Sequence, residues 1–88
     1  MSDLNRRKQM IYRSNHRGIK EMDIILGRYA DAFVLEMSPQ ELDKFEVIMD
    51  EMDRDLLTWF TGEVTCPDHL DAEMFAAILK FTTVNARS

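Results

Sequence analysis

A chain of 88 residues makes one domain, taken as 1–88, and is too short to enclose a large active site, since at this size only about 60–70% of the unfolded chain's surface is buried. With 45% hydrophobic and 31% charged residues it has the balance of a folded globule, and three Gly and two Pro leave little turn chemistry for a sheet. The net charge of −5 is unevenly divided: six basic side chains and one acidic in residues 1–20, five basic and fifteen acidic in 21–88. The acidic body argues against a nucleic-acid partner, and the basic first segment favours an acidic patch on another protein.

No stretch approaches the roughly 20 apolar residues of a membrane span, so no membrane insertion is expected. The basic N-terminus leads into no apolar signal block, and the single Cys66 can form no internal disulfide. A soluble, cytoplasmic protein without a targeting extension is the expectation.

In chain order, the first helix is predicted from about Leu4 to Ser14, with Leu4, Met10 and Ile11 as sparse apolar contacts. The second begins near Gly18. Its residues Ile19, Met22, Ile25, Leu26, Tyr29 and Phe33 follow steps of three and four, which align them on one core-facing stripe. Gly27 within that helix lowers its propensity and points to a close helix crossing. Met37-Ser38-Pro39-Gln40-Glu41 is the clearest local signal: Ser38 and Glu41 can cap each other's amides, and Pro39 sits at the first helical position. Leu42, Phe45, Ile48, Met49 and Met52 form the stripe of this third helix. From Asp53 the pattern changes to the dense run Leu56, Leu57, Trp59, Phe60, read as a short fourth helix closed by Gly62.

Thr65-Cys66-Pro67-Asp68 reads as a turn, and Leu70, Met74, Phe75, Ile78, Leu79 and Phe81 carry a fifth helix that frays from about Val84. The expected fold is all-α, a compact bundle of five short helices. Leu42, Phe45, Ile48, Met49, Trp59, Phe75 and Ile78 are expected to be buried. The methionines Met22, Met49, Met52 and Met74 lie on core stripes and are read as core filling rather than as a binding patch.

The residues for catalysis do not assemble. His16 and His69 are the only histidines, and no second Cys/His pair completes a zinc site with Cys66 and His69, so no metal is assigned. Gly18, Gly27 and Gly62 are isolated, so no phosphate loop exists for a nucleotide or free FAD. Asp50-Glu51-Met52-Asp53-Arg54-Asp55 lacks the glycine and ligand spacing of a calcium loop and reads as a solvated face. What remains is Arg17-Gly18-Ile19-Lys20-Glu21. In a purely structural reading Gly18 starts a helix, Glu21 favours its positive end, and Arg17 pairs with Glu21 across one turn.

That segment stands at the junction of the first two helices of a chain of this length, and further on comes Asp53-Arg54-Asp55-Leu56-Leu57-Thr58-Trp59. In combination these resemble the SdhE-type flavinylation factors, also called succinate dehydrogenase assembly factor 2, over nearly the whole chain. The resemblance implies a five-helix bundle without catalytic residues or cofactor. Such a factor binds the flavoprotein subunit of succinate dehydrogenase, and in some cases that of fumarate reductase, and promotes its covalent FAD attachment. It implies Arg17, Gly18 and Glu21 as the partner-binding group, and the free protein is expected to be a monomer. The competing reading is a generic helical adaptor or regulatory subunit. Because the three residues lie outside the apolar stripes, replacing any of them is expected to cost at most about 1–2 kcal/mol of stability.

Overall fold

Among the described residues the hydrophobic spacings resolve into five helices, α1 (Asp3–Asn15), α2 (Lys20–Phe33), α3 (Pro39–Met49), α4 (Asp53–Phe60) and α5 (Ala72–Ala86), with one 3-10 turn at Val34–Glu36. The structure, a computed structural model, describes residues 3–86, the side chains through 82. The Cα radius of gyration of 12.3 Å matches the about 12 Å of a compact chain of this length, so the expected compact all-α bundle is the fold.

α2 is the central element. α1, α4, α5 and the 3-10 turn pack on it, and α3 closes the core against α1 and α5. Its buried face is Met22, Leu26, Gly27, Tyr29 and Ala30, the spacing that the sequence pattern carried. At Gly27 a Cβ would come within 3.0 Å of Asn15 Cγ and 3.3 Å of the Ser14 carbonyl oxygen. The missing side chain is what lets α1 cross α2 so closely, as the sequence implied.

α3 begins with the full capping box. The Ser38 hydroxyl accepts from the Glu41 amide (3.1 Å), and the Glu41 carboxylate accepts from the Ser38 amide (2.9 Å). Leu42, Phe45, Ile48 and Met49 then fill the core, with Phe45 fully buried. The C-terminus of α4 turns at Gly62, whose φ of 84° is the left-handed conformation a glycine adopts at little steric cost. Phe60 stacks on Phe75 of α5 at 4.2 Å. Tyr29, Phe33, Phe45 and Phe81 form a second aromatic cluster around the α2–α5 contact.

Several expectations are corrected. Met52 is 71% exposed instead of extending the α3 stripe, because α3 ends at Met49 and an extended Met52 turns the chain into α4. Trp59 is half-buried, while Phe33 and Leu79 lie at the surface edge of their stripes. α2 starts at Lys20, after an extended Ile19, rather than near Gly18. α5 starts at Ala72 and continues to Ala86; Asp71, which accepts from the Met74 amide at 2.8 Å, sets its first turn.

The largest departure is in α1. Its buried face is Arg7, Met10 and Ser14, again steps of three and four but with one apolar member, whereas Leu4 is exposed and Ile11 half-buried. Arg7 donates to the Val34 carbonyl (2.8 Å) and to Asp3 (2.6 Å), so its buried charge is satisfied. Ser14 donates to the Met10 carbonyl at 2.7 Å and lies 2.9 Å from Met49 Sδ.

On the adjoining face Arg6 pairs with Asp43 (2.7 Å) and Glu46 (2.8 Å), and Arg13 with Asp50 (2.8 Å). These exposed pairs orient α1 on α3 more than they stabilise it. They also narrow the reading of the basic segment: Arg6, Arg7, Arg13 and Arg17 pair within the molecule, and the exposed Lys8 and Lys20 are the cations of the segment outside those pairs.

Candidate functional site

The segment between α1 and α2 is held by side chains from elsewhere in the chain. Past the end of α1, the Arg17 amide donates to Asp23 of α2, and the Gly18 amide donates to Asp53 Oδ2 at 2.8 Å. Two backbone donors of the connection, ahead of the first turn of α2, are thus satisfied by carboxylates.

Arg17 points inward. Its Nε pairs with Asp53 Oδ1 at 2.5 Å, Nη1 donates to the Met49 carbonyl at 2.7 Å, and Nη2 donates to the Glu51 carbonyl at 2.9 Å. The last carbonyl of α3, at Met49, has no partner within its own helix, and Glu51 lies in the connection after it; the planar guanidinium fork supplies a donor to each. The side chains of Arg17 and Asp53 are only 10% and 17% exposed. Asp53 opens α4, where the N-cap Met52 offers no side-chain bond, and its charge lies at the positive end of that helix. The pairing of Arg17 with Glu21 that its spacing allowed is replaced by this contact with a residue far along the chain.

Gly18 is exposed and its φ is not positive. A Cβ there would meet only Asp53 Oδ2, at an ordinary 3.5 Å. The three glycines therefore differ in kind: Gly27 is required by packing and Gly62 by its backbone, whereas nothing in the free chain requires Gly18. Glu21 lies exposed in the first turn of α2, a position its charge favours. No described side chain pairs with it.

Beside Gly18 an open depression of about 610 Å³ runs across the turn from α3 to α4, with Arg13, Ile19, Met52 and Arg54 in its lining. Of the three residues singled out in the sequence, the structure leaves Gly18 and Glu21 on the surface and turns Arg17 toward the interior. It adds Asp53, Met52 and Arg54 to their surroundings. In the sequence Asp53 stood in an acidic run read as a solvated face and at the head of the segment that carries the family resemblance; its contact with residues 17 and 18 spans a separation that no periodicity encodes.

The other chemical groups lie apart. His69 sits 3.1 Å from Glu51, in the turn before α5. Burial, and then the charge of Asp68, push the Cys66 thiol up, away from a reactive thiolate. Among the described residues no three His, Cys, Asp or Glu side chains gather as a metal site, and no helix is long and apolar enough to cross a membrane.

Comparison with known proteins gives these features a setting. The chain is 38% identical over 83 residues to a protein of Debaryomyces hansenii named "Succinate dehydrogenase assembly factor 2, mitochondrial", covering 94% of this chain and 58% of that one. A protein of the same name from Scheffersomyces stipitis is 32% identical over 83 residues, covering 94% and 56%. The one from Kluyveromyces lactis is 38% identical over 56 residues, covering 64% and 34%. The chain thus spans between a third and three fifths of the length of these relatives. The family described as "Flavinator of succinate dehydrogenase" matches residues 8–82, from α1 into α5, and the chain belongs to that family.

Proposed function

We propose that this protein is an assembly factor that binds the flavoprotein subunit of succinate dehydrogenase, and also that of fumarate reductase, and promotes covalent attachment of FAD. Arg17, Gly18 and Glu21 form the docking group, Gly18 and Glu21 by contact and Arg17 from beneath. The observation that carries this reading is Gly18, an exposed glycine that neither backbone conformation nor internal packing requires. A partner's backbone approaching closely is a reason for a bare Cα there. The exposed Glu21 carboxylate, without a partner among the described residues, can accept charge-assisted hydrogen bonds that set orientation. Met52, exposed across the depression, adds an adaptable apolar contact.

In this reading the factor is not an enzyme and carries no cofactor or metal of its own. It acts by holding the flavoprotein so that the accepting side chain and the flavin stay aligned, an orientation effect. It works as a monomer in the cytoplasm, a reducing compartment in keeping with its lone thiol, while the relatives named above are mitochondrial. Cell fractionation and sedimentation test these two points.

The central test uses Gly18→Arg and Glu21→Ala. Both are surface changes and should alter stability by no more than about 1 kcal/mol. Both should weaken binding to the apo-flavoprotein by about 2–5 kcal/mol, by steric block or by leaving a partner's charge unpaired. Affinity and in-gel fluorescence of covalent flavin, after co-expression in cells lacking their own factor, are the measurements. Wild-type levels of covalent FAD with both variants would make the motif a mere helix junction.

A further inference from the structure

We infer that Asp53, far from the docking motif in sequence, is its positioning residue. Its carboxylate is divided between two of the three residues of the motif, Oδ1 to Arg17 Nε and Oδ2 to the Gly18 amide at 2.8 Å. Arg17 in turn grips the carbonyls of Met49, the last residue of α3, and Glu51, within the turn that leads into α4. One carboxylate therefore locks the α1–α2 junction to the α3–α4 junction, and the depression between Gly18 and Met52 keeps its shape only while both are locked. The inference rests on the docking reading above, which it deepens. Asp53 sets the angle at which Gly18 is presented and does not itself act on the flavin.

The geometry requires an acceptor at both oxygens, because both groups facing Asp53 are donors. Asp53→Asn keeps size and shape but places an NH₂ against one of those donors. It unlocks the junction without opening a cavity in the core. Ile78→Val, a change in the core on α5, serves as a comparison variant that weakens the fold elsewhere.

In the free parent protein the Gly18 amide should exchange with solvent at least about tenfold more slowly than an unprotected amide, although its residue is exposed. In Asp53→Asn that protection should fall by about tenfold, with the amides of the α2 core unchanged. The concentration of factor giving half-maximal flavin attachment should rise by at least about tenfold, and the yield at saturating factor should return to the parent's level. Ile78→Val should show neither effect at a temperature where it is folded. An unprotected Gly18 amide in the parent would overturn the clamp without any variant. Asp53→Asn with parental half-saturation would overturn its part in docking, as would a half-saturation shifted equally in Ile78→Val. Intact Gly18 protection in a parent that binds no flavoprotein would support the clamp and refute the docking reading itself.

Discussion

Arg17→Ala distinguishes the structure most sharply from what the sequence implied. The change deletes a guanidinium that pairs with Asp53 and donates to the carbonyls of Met49 (2.7 Å) and Glu51 (2.9 Å). It leaves a carboxylate only 17% exposed without its counter-charge. Breaking a buried pair by removing one partner costs about 3–5 kcal/mol. Because some water reaches Asp53, the lower end, about 3 kcal/mol, is expected here. For a chain of this size that lowers Tm by roughly 12–24 °C, a large part of a total stability of about 5–15 kcal/mol. Position outside the apolar stripes implied at most about 1–2 kcal/mol. Thermal and urea unfolding of parent and variant decide between the two. A Tm within about 4 °C of the parent would refute the buried clamp. Arg17→Lys should fall between, since an ammonium keeps the charge but cannot span three acceptors as the fork does. A loss of flavin attachment in Arg17→Ala therefore mixes folding with docking, and Gly18→Arg is the cleaner probe.

Phe45→Ala, at a fully buried site, should cost about 3–5 kcal/mol in urea unfolding, and unchanged unfolding would place the core face of α3 elsewhere. Gly27→Ala gains about 1 kcal/mol of helix propensity but drives Asn15 from its bonds to the Ile11 carbonyl and Asp31. It should be net destabilising in the parent and less so in an Asn15→Ala background, a difference that a double-mutant cycle measures. Acid should weaken the fold through two helix starts. The Ser38 amide and hydroxyl hold the Glu41 carboxyl below its ordinary range, and the Met74 amide, with Lys44, does the same for Asp71. A depressed folded value means the stabilisation is complete above the unfolded-state value, about 4, and is lost as pH falls through the folded one. Unfolding midpoints should therefore drop below about pH 4, and Ser38→Ala should shrink the part of that drop owed to Glu41.

Local rules sufficed for the elements. The steps of three and four from Met22 to Tyr29, the capping box at Ser38 and the glycine after α4 each act within one or two helical turns, and the structure keeps all three. The motif at residues 17–21 was legible as a motif, since charge and a glycine at a helix junction are visible in one dimension. What α1 buries was not. Arg7 and Ser14 go inside because Val34, Asp3, Met10 and Met49 are there to satisfy them, and polar residues on a buried face carry no hydrophobic period. Met52 was misread for the complementary reason: its spacing fits a helix that ends before reaching it. The orientation of Arg17 depended on a carboxylate thirty-six residues away, brought within 2.5 Å only when α3 and α4 close against the first junction. Sequence determined which residues lie at the junction, because helix boundaries are short-range. Tertiary structure decided which of them face solvent and which hold the loop, because that choice is made by contacts in space.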